Sequence, residues 1–124
     1  MKIMAEQLPP QVQMQLARLQ DLQEQLRAIV LRKQQIELEL REVERALKET
    51  EGLSNDVPIY KSVGALLFKT EKEKVVKELG ERKEELELRI KTLERQESRV
   101  KQQLEELRKS ILSYTSQFSA GGGS

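Results

Sequence analysis

The sequence predicts a mostly helical α+β subunit, in which two long helices form an antiparallel coiled coil and a single β-hairpin links them. Two segments of the 124-residue chain repeat apolar residues at alternating spacings of three and four, which is the heptad pattern of a coiled coil. A short segment rich in β-branched and aromatic residues lies between them. Charged residues make up 35% of the chain and aromatic residues only 3%, which is typical of long helices rather than of one compact core.

The first periodic segment predicts a helix over about residues 10–50. Pro9 and Pro10 stand at its start, where the first helical turn tolerates proline, and Gly52 stands at its end. Lys33 is the single polar residue of the apolar seam, and we expect it to set the register of the helix pair. The seam positions are Leu19, Leu22, Leu26, Ile29, Lys33, Ile36, Leu40, Val43 and Leu47.

The second periodic segment predicts a helix over about residues 71–118. Thr70 and Glu73 have the spacing of a capping box, in which each side chain accepts a hydrogen bond from an amide that the helix leaves unpaired. Because residues 51–70 reverse the chain, the simplest pairing of the two seams is intramolecular and antiparallel. The second seam comprises Val76, Leu79, Lys83, Leu86, Ile90, Leu93, Glu97, Val100, Leu104, Leu107, Ile111, Tyr114 and Phe118.

The segment between the helices predicts a β-hairpin over about residues 57–69. The helical period stops here, and we place the strands at 57–61 and 65–69 with the turn at 62–64. Gly64 supplies the positive φ that a short hairpin loop needs.

A lone two-stranded hairpin is only marginally stable in water. The uncharged run from Val63 to Phe68 would be prone to aggregation if its strand edges stayed unpaired. These features favour the assembly of several hairpins into an oligomeric β-barrel platform, and the alternative is an irregular loop packed on its own helices. The residues expected to build the platform are Val57, Ile59, Tyr60, Val63, Gly64, Leu66, Leu67 and Phe68.

The composition excludes several classes of function. The chain has no cysteine and no histidine, which removes thiolate and imidazole catalysis and the usual zinc ligands. Its formal net charge of +1 gives no basic excess for nucleic acid or a membrane surface. The run from Gly64 to Thr70 lacks the second glycine of a phosphate-binding loop, so it predicts no nucleotide binding. Taken together, these absences lead us to expect no cofactor, no metal and no enzyme activity. No apolar run approaches the roughly 20 residues of a membrane span, and a cytoplasmic location is expected.

The order of one helix, a single hairpin and a returning helix resembles the β-type subunit of archaeal prefoldin. The stretches from Ile59 to Gly64 and from Thr92 to Glu97 are similar to sequences of that family, and the resemblance covers roughly residues 9–115. The α-type subunit of the family carries a second hairpin, for which residues 51–70 leave no room.

The resemblance implies an ATP-independent chaperone that holds unfolded proteins. In that family, two α-type and four β-type subunits form a hetero-hexamer, in which six coiled coils hang from a double β-barrel platform. The tips of the coiled coils hold unfolded proteins and deliver them to a group II chaperonin. The implied partners are therefore α-type prefoldin subunits, unfolded proteins and a group II chaperonin, with no nucleic acid and no membrane.

Apolar residues near both helix ends are candidates for contact with unfolded proteins. In an antiparallel helix pair, the start of the first helix and the end of the second share one tip, and exposed apolar side chains there suit weak binding of many partners. The alternative is that these side chains only hold the helix ends together. We expect residues 1–8 and 119–124 to be flexible ends of a domain over 9–118. The candidate tip residues are Leu8, Val12, Met14, Leu16, Ile111, Leu112, Tyr114 and Phe118.

A coiled-coil scaffold or adaptor without chaperone activity is the alternative function. It would need neither a hairpin platform nor an apolar tip. A leucine-zipper DNA-binding protein would need a basic region before one of the seams, and neither seam has one.

Overall fold

The computed structural model describes residues 8–122 and contains two long helices joined by one antiparallel hairpin. This confirms the predicted mostly helical α+β fold. Helix α2 continues beyond the predicted end at about residue 118, and the side chains of 118–122 lie outside the described part. Residues 1–7 and 123–124, which belong to the predicted flexible ends, also lie outside the described residues. The elements are α1 (Pro10–Glu51), β1 (Ile59–Val63), β2 (Leu66–Thr70) and α2 (Lys72–Gly122).

Helix α1 begins at the second of the two prolines, as the sequence predicts. The carbonyl of Pro9 accepts a hydrogen bond from the Gln13 amide at 3.1 Å. The side-chain Nε2 of Gln13 also donates to the carbonyl of Leu8 at 2.7 Å. Pro10 has no N–H to donate, and the first helical turn is where that loss costs least.

Helix α2 begins later than the predicted capping box, because the sheet extends further along the chain. Thr70 is the last residue of β2 and pairs with Ile59. The carbonyl of Glu71 instead accepts a hydrogen bond from the Val75 amide at 3.1 Å, which makes Glu71 the residue that flanks the helix. The prediction of Thr70 as the N-cap is therefore wrong.

The hairpin turns through a two-residue loop, Gly64 and Ala65, between the paired residues Val63 and Leu66. Gly64 has a φ of 60°, and no other residue in the described range has a positive φ. Positive φ at the first loop residue alone defines a type II′ turn, whose twist matches that of the strands. The need for glycine at this position is thus confirmed.

The strands lie slightly further along the chain than the sequence predicts. Ser62 pairs with Leu67 inside the ladder, so the predicted turn at 62–64 is wrong. Pro58 precedes the first strand residue, as expected for a residue that cannot donate to a ladder. The strands differ from the prediction because the observed turn has only two residues, which leaves more residues on each side free to pair.

By its contacts the chain divides into two compact units. We call residues 8–31 with 93–122 the terminal unit, and residues 32–92 the hairpin unit. The terminal unit has a core of Leu22, Val100 and Leu104, against which four half-buried residues pack: Leu19, Leu26, Ile29 and Leu107. In the hairpin unit the buried apolar residues are Ile36 and Leu86.

The predicted seams are confirmed in both helices. Every seam residue with a described side chain is buried or half-buried, including the polar seam residues Lys33, Lys83 and Glu97. Glu97 keeps only 14% of its side chain exposed and lies 3.6 Å from Lys101. In the range that the structure describes, neither helix has a stretch apolar enough to cross a lipid bilayer.

Candidate substrate-binding end and assembly hairpin

The candidate tip residues lie in the terminal unit, on two segments that contact each other. Gln15 Nε2 on α1 donates to Ser110 Oγ on α2 at 2.9 Å. This hydrogen bond brings the segment that carries Met14 and Leu16 next to the segment that carries Leu112. Segments that lie 95 residues apart in the sequence therefore contact each other.

The candidate tip residues differ in the solvent exposure of their side chains. Met14 is 73% exposed and Leu112 is 61% exposed, whereas Leu16 is 36% exposed. Val12 is only 4% exposed. The side chain of Phe118 lies outside the described residues. The half-buried members are Leu8, Ile111 and Tyr114.

An open groove of about 1060 Å³ runs along one flank of α1 in the terminal unit. Met14 and Ala17 contribute apolar surface on α1, and Leu107 contributes from α2. Asp21 and Glu24 add carboxylates to its lining. Sequence reasoning missed this groove, because most of these residues lie outside the heptad seam and a seam pattern carries no information about the outer flanks of a helix.

The hairpin exposes apolar side chains on both of its faces. Residues paired directly across the ladder share a face, so Val63 and Leu66 lie on one face, while Leu67 lies on the other with its partner Ser62. Leu67 is 72% exposed, and Tyr60 and the other apolar strand residues except Ile59 are also exposed. The alternative of an irregular loop packed on its own helices is therefore wrong. An exposed apolar surface of this kind is typical of interaction sites.

Two lysines connect the hairpin and the ends of the helices. Lys61 Nζ on β1 lies 3.0 Å from Glu78 Oε2 on α2. Lys72 Nζ donates to the carbonyl of Glu51 at 3.1 Å and to that of Leu53 at 2.7 Å. Because the last carbonyls of a helix have no partner within it, Lys72 caps α1 with a positive charge. These bonds fix the direction in which the hairpin leaves the helices.

Arg82 joins the two helices within the hairpin unit. Its guanidinium donates to Glu39 Oε1 on α1, with Nε at 3.1 Å, and forms an ion pair with Glu85 Oε2 at 3.1 Å. The same Glu85 also binds Arg89 at 2.9 Å. The hydrogen bond to Glu39 raises the pKa of Arg82 above its ordinary value, and the hydrogen bond to Glu85 raises it further by a smaller amount. The bonds between Arg82 and Glu39 connect the two helices and help to hold their register.

The Prefoldin subunit family matches residues 13–117 of the chain. A prefoldin subunit beta from Saccharolobus islandicus is 49% identical over 120 residues, which is 97% of this chain and 95% of that protein. A prefoldin subunit beta from Archaeoglobus fulgidus is 46% identical over 105 residues, which is 85% of this chain and 90% of that protein. The resemblance inferred from the sequence is thus confirmed over most of the chain.

Solved structures agree with these sequence matches. The crystal structure of the prefoldin beta subunit from Thermococcus strain KS-1 superposes with a TM-score of 0.81 at 47% identity, over 86% of this chain and 93% of that one. The prefoldin beta2 subunit from the same strain shares the fold, with a TM-score of 0.66 at 23% identity, over 73% of this chain and 97% of that one. Helix, single hairpin and returning helix, together with these matches, show that the chain belongs to the prefoldin family of chaperone subunits and is of the β type.

Proposed function

We propose that this chain is a subunit of an ATP-independent holdase, which captures unfolded proteins with its terminal unit and delivers them to a group II chaperonin. The observation that carries the proposal is the pair of exposed apolar residues, Met14 and Leu112, on contacting segments of α1 and α2. Family membership supports the chaperone role, and it supports assembly with other prefoldin subunits.

The chemistry of this end suits weak capture of many different chains. Met14 has an unbranched and polarizable side chain that adapts to irregular apolar surfaces. Half-buried Ile111 and Tyr114 extend the apolar area, whereas Val12 is buried and supports the helix pair. A single exposed contact contributes about 1 kcal/mol, so capture requires several subunits to bind one client together. Such avidity makes any one substitution, for example Phe118→Ala, only mildly harmful.

Assembly is the second part of the proposal. Exposed apolar side chains on both faces of the hairpin support its pairing with other hairpins in a β-barrel platform, with two α-type and four β-type subunits. The completed complex would act in the cytoplasm, where nascent and unfolded proteins are abundant. Hydrophobic contact is favourable without energy from nucleotide hydrolysis, so ATP is not needed for capture.

A truncation separates capture from assembly. Deleting residues 1–16 and everything after Ser110 removes the exposed tip residues but leaves the buried core at Leu22, Val100 and Leu104. We expect the truncated complex to keep its native mass and to lose its suppression of aggregation of an unfolded test protein, with or without ATP.

The matched control is Leu88→Ser in the hairpin unit. It removes a leucine that is about as exposed as Leu112 and should leave capture unchanged. A truncated complex that remains assembled and still protects the test protein fully would contradict the proposal. A full-length complex that assembles but protects nothing would favour a scaffold without chaperone activity.

A further inference from the structure

The open groove of the terminal unit combines apolar side chains with carboxylates. Met14 and Ala17 form its apolar part on α1, and half-buried Leu107 adds to it from α2. Further along α1, Asp21 and Glu24 bring two carboxylates to the same lining. A ligand that is complementary to this groove therefore supplies apolar surface and positive charge together.

The groove itself offsets only one of these two carboxylates. Arg18 lies 3.6 Å from Asp21 and forms an ion pair with it. Glu24 is exposed, and it forms no ion pair with any residue in the part of the chain that the structure describes. Two carboxylates and one guanidinium leave the described lining with one negative charge in excess, at Glu24.

The groove also offers a hydrogen-bond acceptor to the backbone of a ligand. Gln15 lines the groove, and its Oε1 is buried without a hydrogen-bond partner among the described residues. Its Nε2 already donates to Ser110 Oγ at 2.9 Å, which fixes the orientation of the amide. An extended chain has free backbone N–H groups that can donate to such an oxygen, whereas a helix uses its own N–H groups internally. The groove therefore favours an extended ligand.

We propose that this groove selects extended client segments in which a lysine or arginine accompanies apolar residues. The inference rests on the proposed function, because it defines which part of an unfolded protein this end binds. The apolar side chains of the segment pack on Met14 and Ala17, and its cation pairs with Glu24. An acidic segment of equal apolar area is disfavoured, because its carboxylate meets the same Glu24.

The helix sets the spacing between the apolar and the basic residue of the client. Ala17 and Glu24 are seven residues apart on α1, which corresponds to about 10 Å at a rise of about 1.5 Å per residue. An extended segment covers this distance in about three residues, at about 3.3 Å each. The preferred client therefore carries its lysine or arginine about three residues away from an apolar residue.

Short peptides test this selection without the avidity that a whole unfolded protein brings. One probe is an unstructured peptide with two adjacent leucines and a lysine three residues further on, and its counterpart carries glutamate in place of the lysine. The assembled complex should bind the lysine peptide about fivefold more tightly, because an exposed ion pair replaces a repulsion between like charges. Fluorescence anisotropy measures both affinities, and equal affinities would overturn the proposal.

Charge reversal tests whether the preference comes from Glu24. In Glu24→Lys the glutamate peptide should bind more tightly than the lysine peptide, and about 1 M salt should weaken the preference of either complex. The matched control is Glu94→Lys, which changes the net charge equally at an exposed position of the terminal unit outside the described lining of the groove. It should keep the original preference. A preference that Glu24→Lys leaves unchanged, or that Glu94→Lys also reverses, would overturn the proposal.

Met14→Ser separates the apolar contact from the charge. It should weaken binding of both peptides by the same factor and leave their affinity ratio unchanged, because both peptides carry the leucines that contact Met14. Unchanged affinity for both peptides would show that they bind elsewhere and would overturn the proposal. The proposed function fails by a different measurement, namely an unaltered complex that does not suppress aggregation of an unfolded test protein, while the peptide ratio decides on the selection by itself.

Discussion

Leu86 and Leu88 stand close together on α2 in opposite environments. Leu86 is fully buried, whereas Leu88 is 64% exposed. Leu86→Ala should lower the free energy of unfolding by about 2–5 kcal/mol, because it removes apolar contacts and leaves a cavity. Leu88→Ala is the matched control and should change it by about 0.5 kcal/mol or less. Chemical denaturation followed by circular dichroism measures both, and equal losses would contradict the assigned helix faces.

Two glycines make opposite demands on the backbone. Gly64 takes a φ of 60° in the type II′ turn, whereas Gly80 lies within α2 without a positive φ. A Cβ would meet no atom within 4 Å at either position, so the backbone conformation alone decides the outcome. Gly64→Ala should destabilise the chain by about 1–2 kcal/mol, and Gly80→Ala should stabilise it by about 1 kcal/mol. Thermal unfolding measures both changes, and stabilisation by Gly64→Ala would contradict the turn assignment.

Single residues also show where sequence reasoning reaches its limit. The seam positions follow from periodicity, because burial on a helix repeats with a fixed spacing. The bond between Arg82 and Glu39 does not follow, since it joins residues on different helices and depends on their exact register. Ala17 and Asp21 give no periodic signal either, so the groove they line became visible only in the folded chain.

At the scale of elements, we expect the hairpin to serve assembly and the helices to fold without it. Phe68 is 51% exposed on its strand, and it faces the same side as Leu66. Phe68→Glu should break the oligomer and leave most of the helix content, because a charge cannot be buried in a sheet interface without a partner. Size-exclusion chromatography with circular dichroism measures both properties.

The matched control for this substitution is Leu88→Glu, on an exposed face of α2. It should leave the oligomer intact, because this leucine is far from the hairpin strands in sequence and belongs to no proposed interface. Full-size assemblies of the Phe68→Glu variant would show that the hairpin is not the interface.

Element boundaries were predicted less well than element types. The change from helical period to β-branched and aromatic residues identified the hairpin, but both strands proved to extend one or two residues further along the chain. The reason is local: the sequence signals a glycine turn, whereas the φ of Gly64 and the pairing of Val63 decide which residues form the loop. The same shift moved the start of α2 to Lys72.

At the scale of the whole molecule, assembly should require a second kind of subunit. A single hairpin in each β-type chain leaves strand edges that an α-type subunit with two hairpins can cover. Co-expression with an α-type subunit, followed by native mass spectrometry, should therefore give a complex of two α and four β chains. A stable parallel dimer of this chain, with helical circular dichroism alone, would contradict this architecture.

The hydrogen bonds between the helices join residues at very different separations in the sequence, which bears on the order in which they form during synthesis. The separation is 21 residues for Lys72 and Glu51, 43 for Arg82 and Glu39, and 95 for Gln15 and Ser110. The entropy cost of closing a loop rises with its length, so the contacts nearest the hairpin form first. During translation, the seam of α1 leaves the ribosome long before its partner exists. The nascent subunit is then itself an unfolded chain with exposed leucines. The surface proposed to bind other unfolded proteins is the last part of it to be completed.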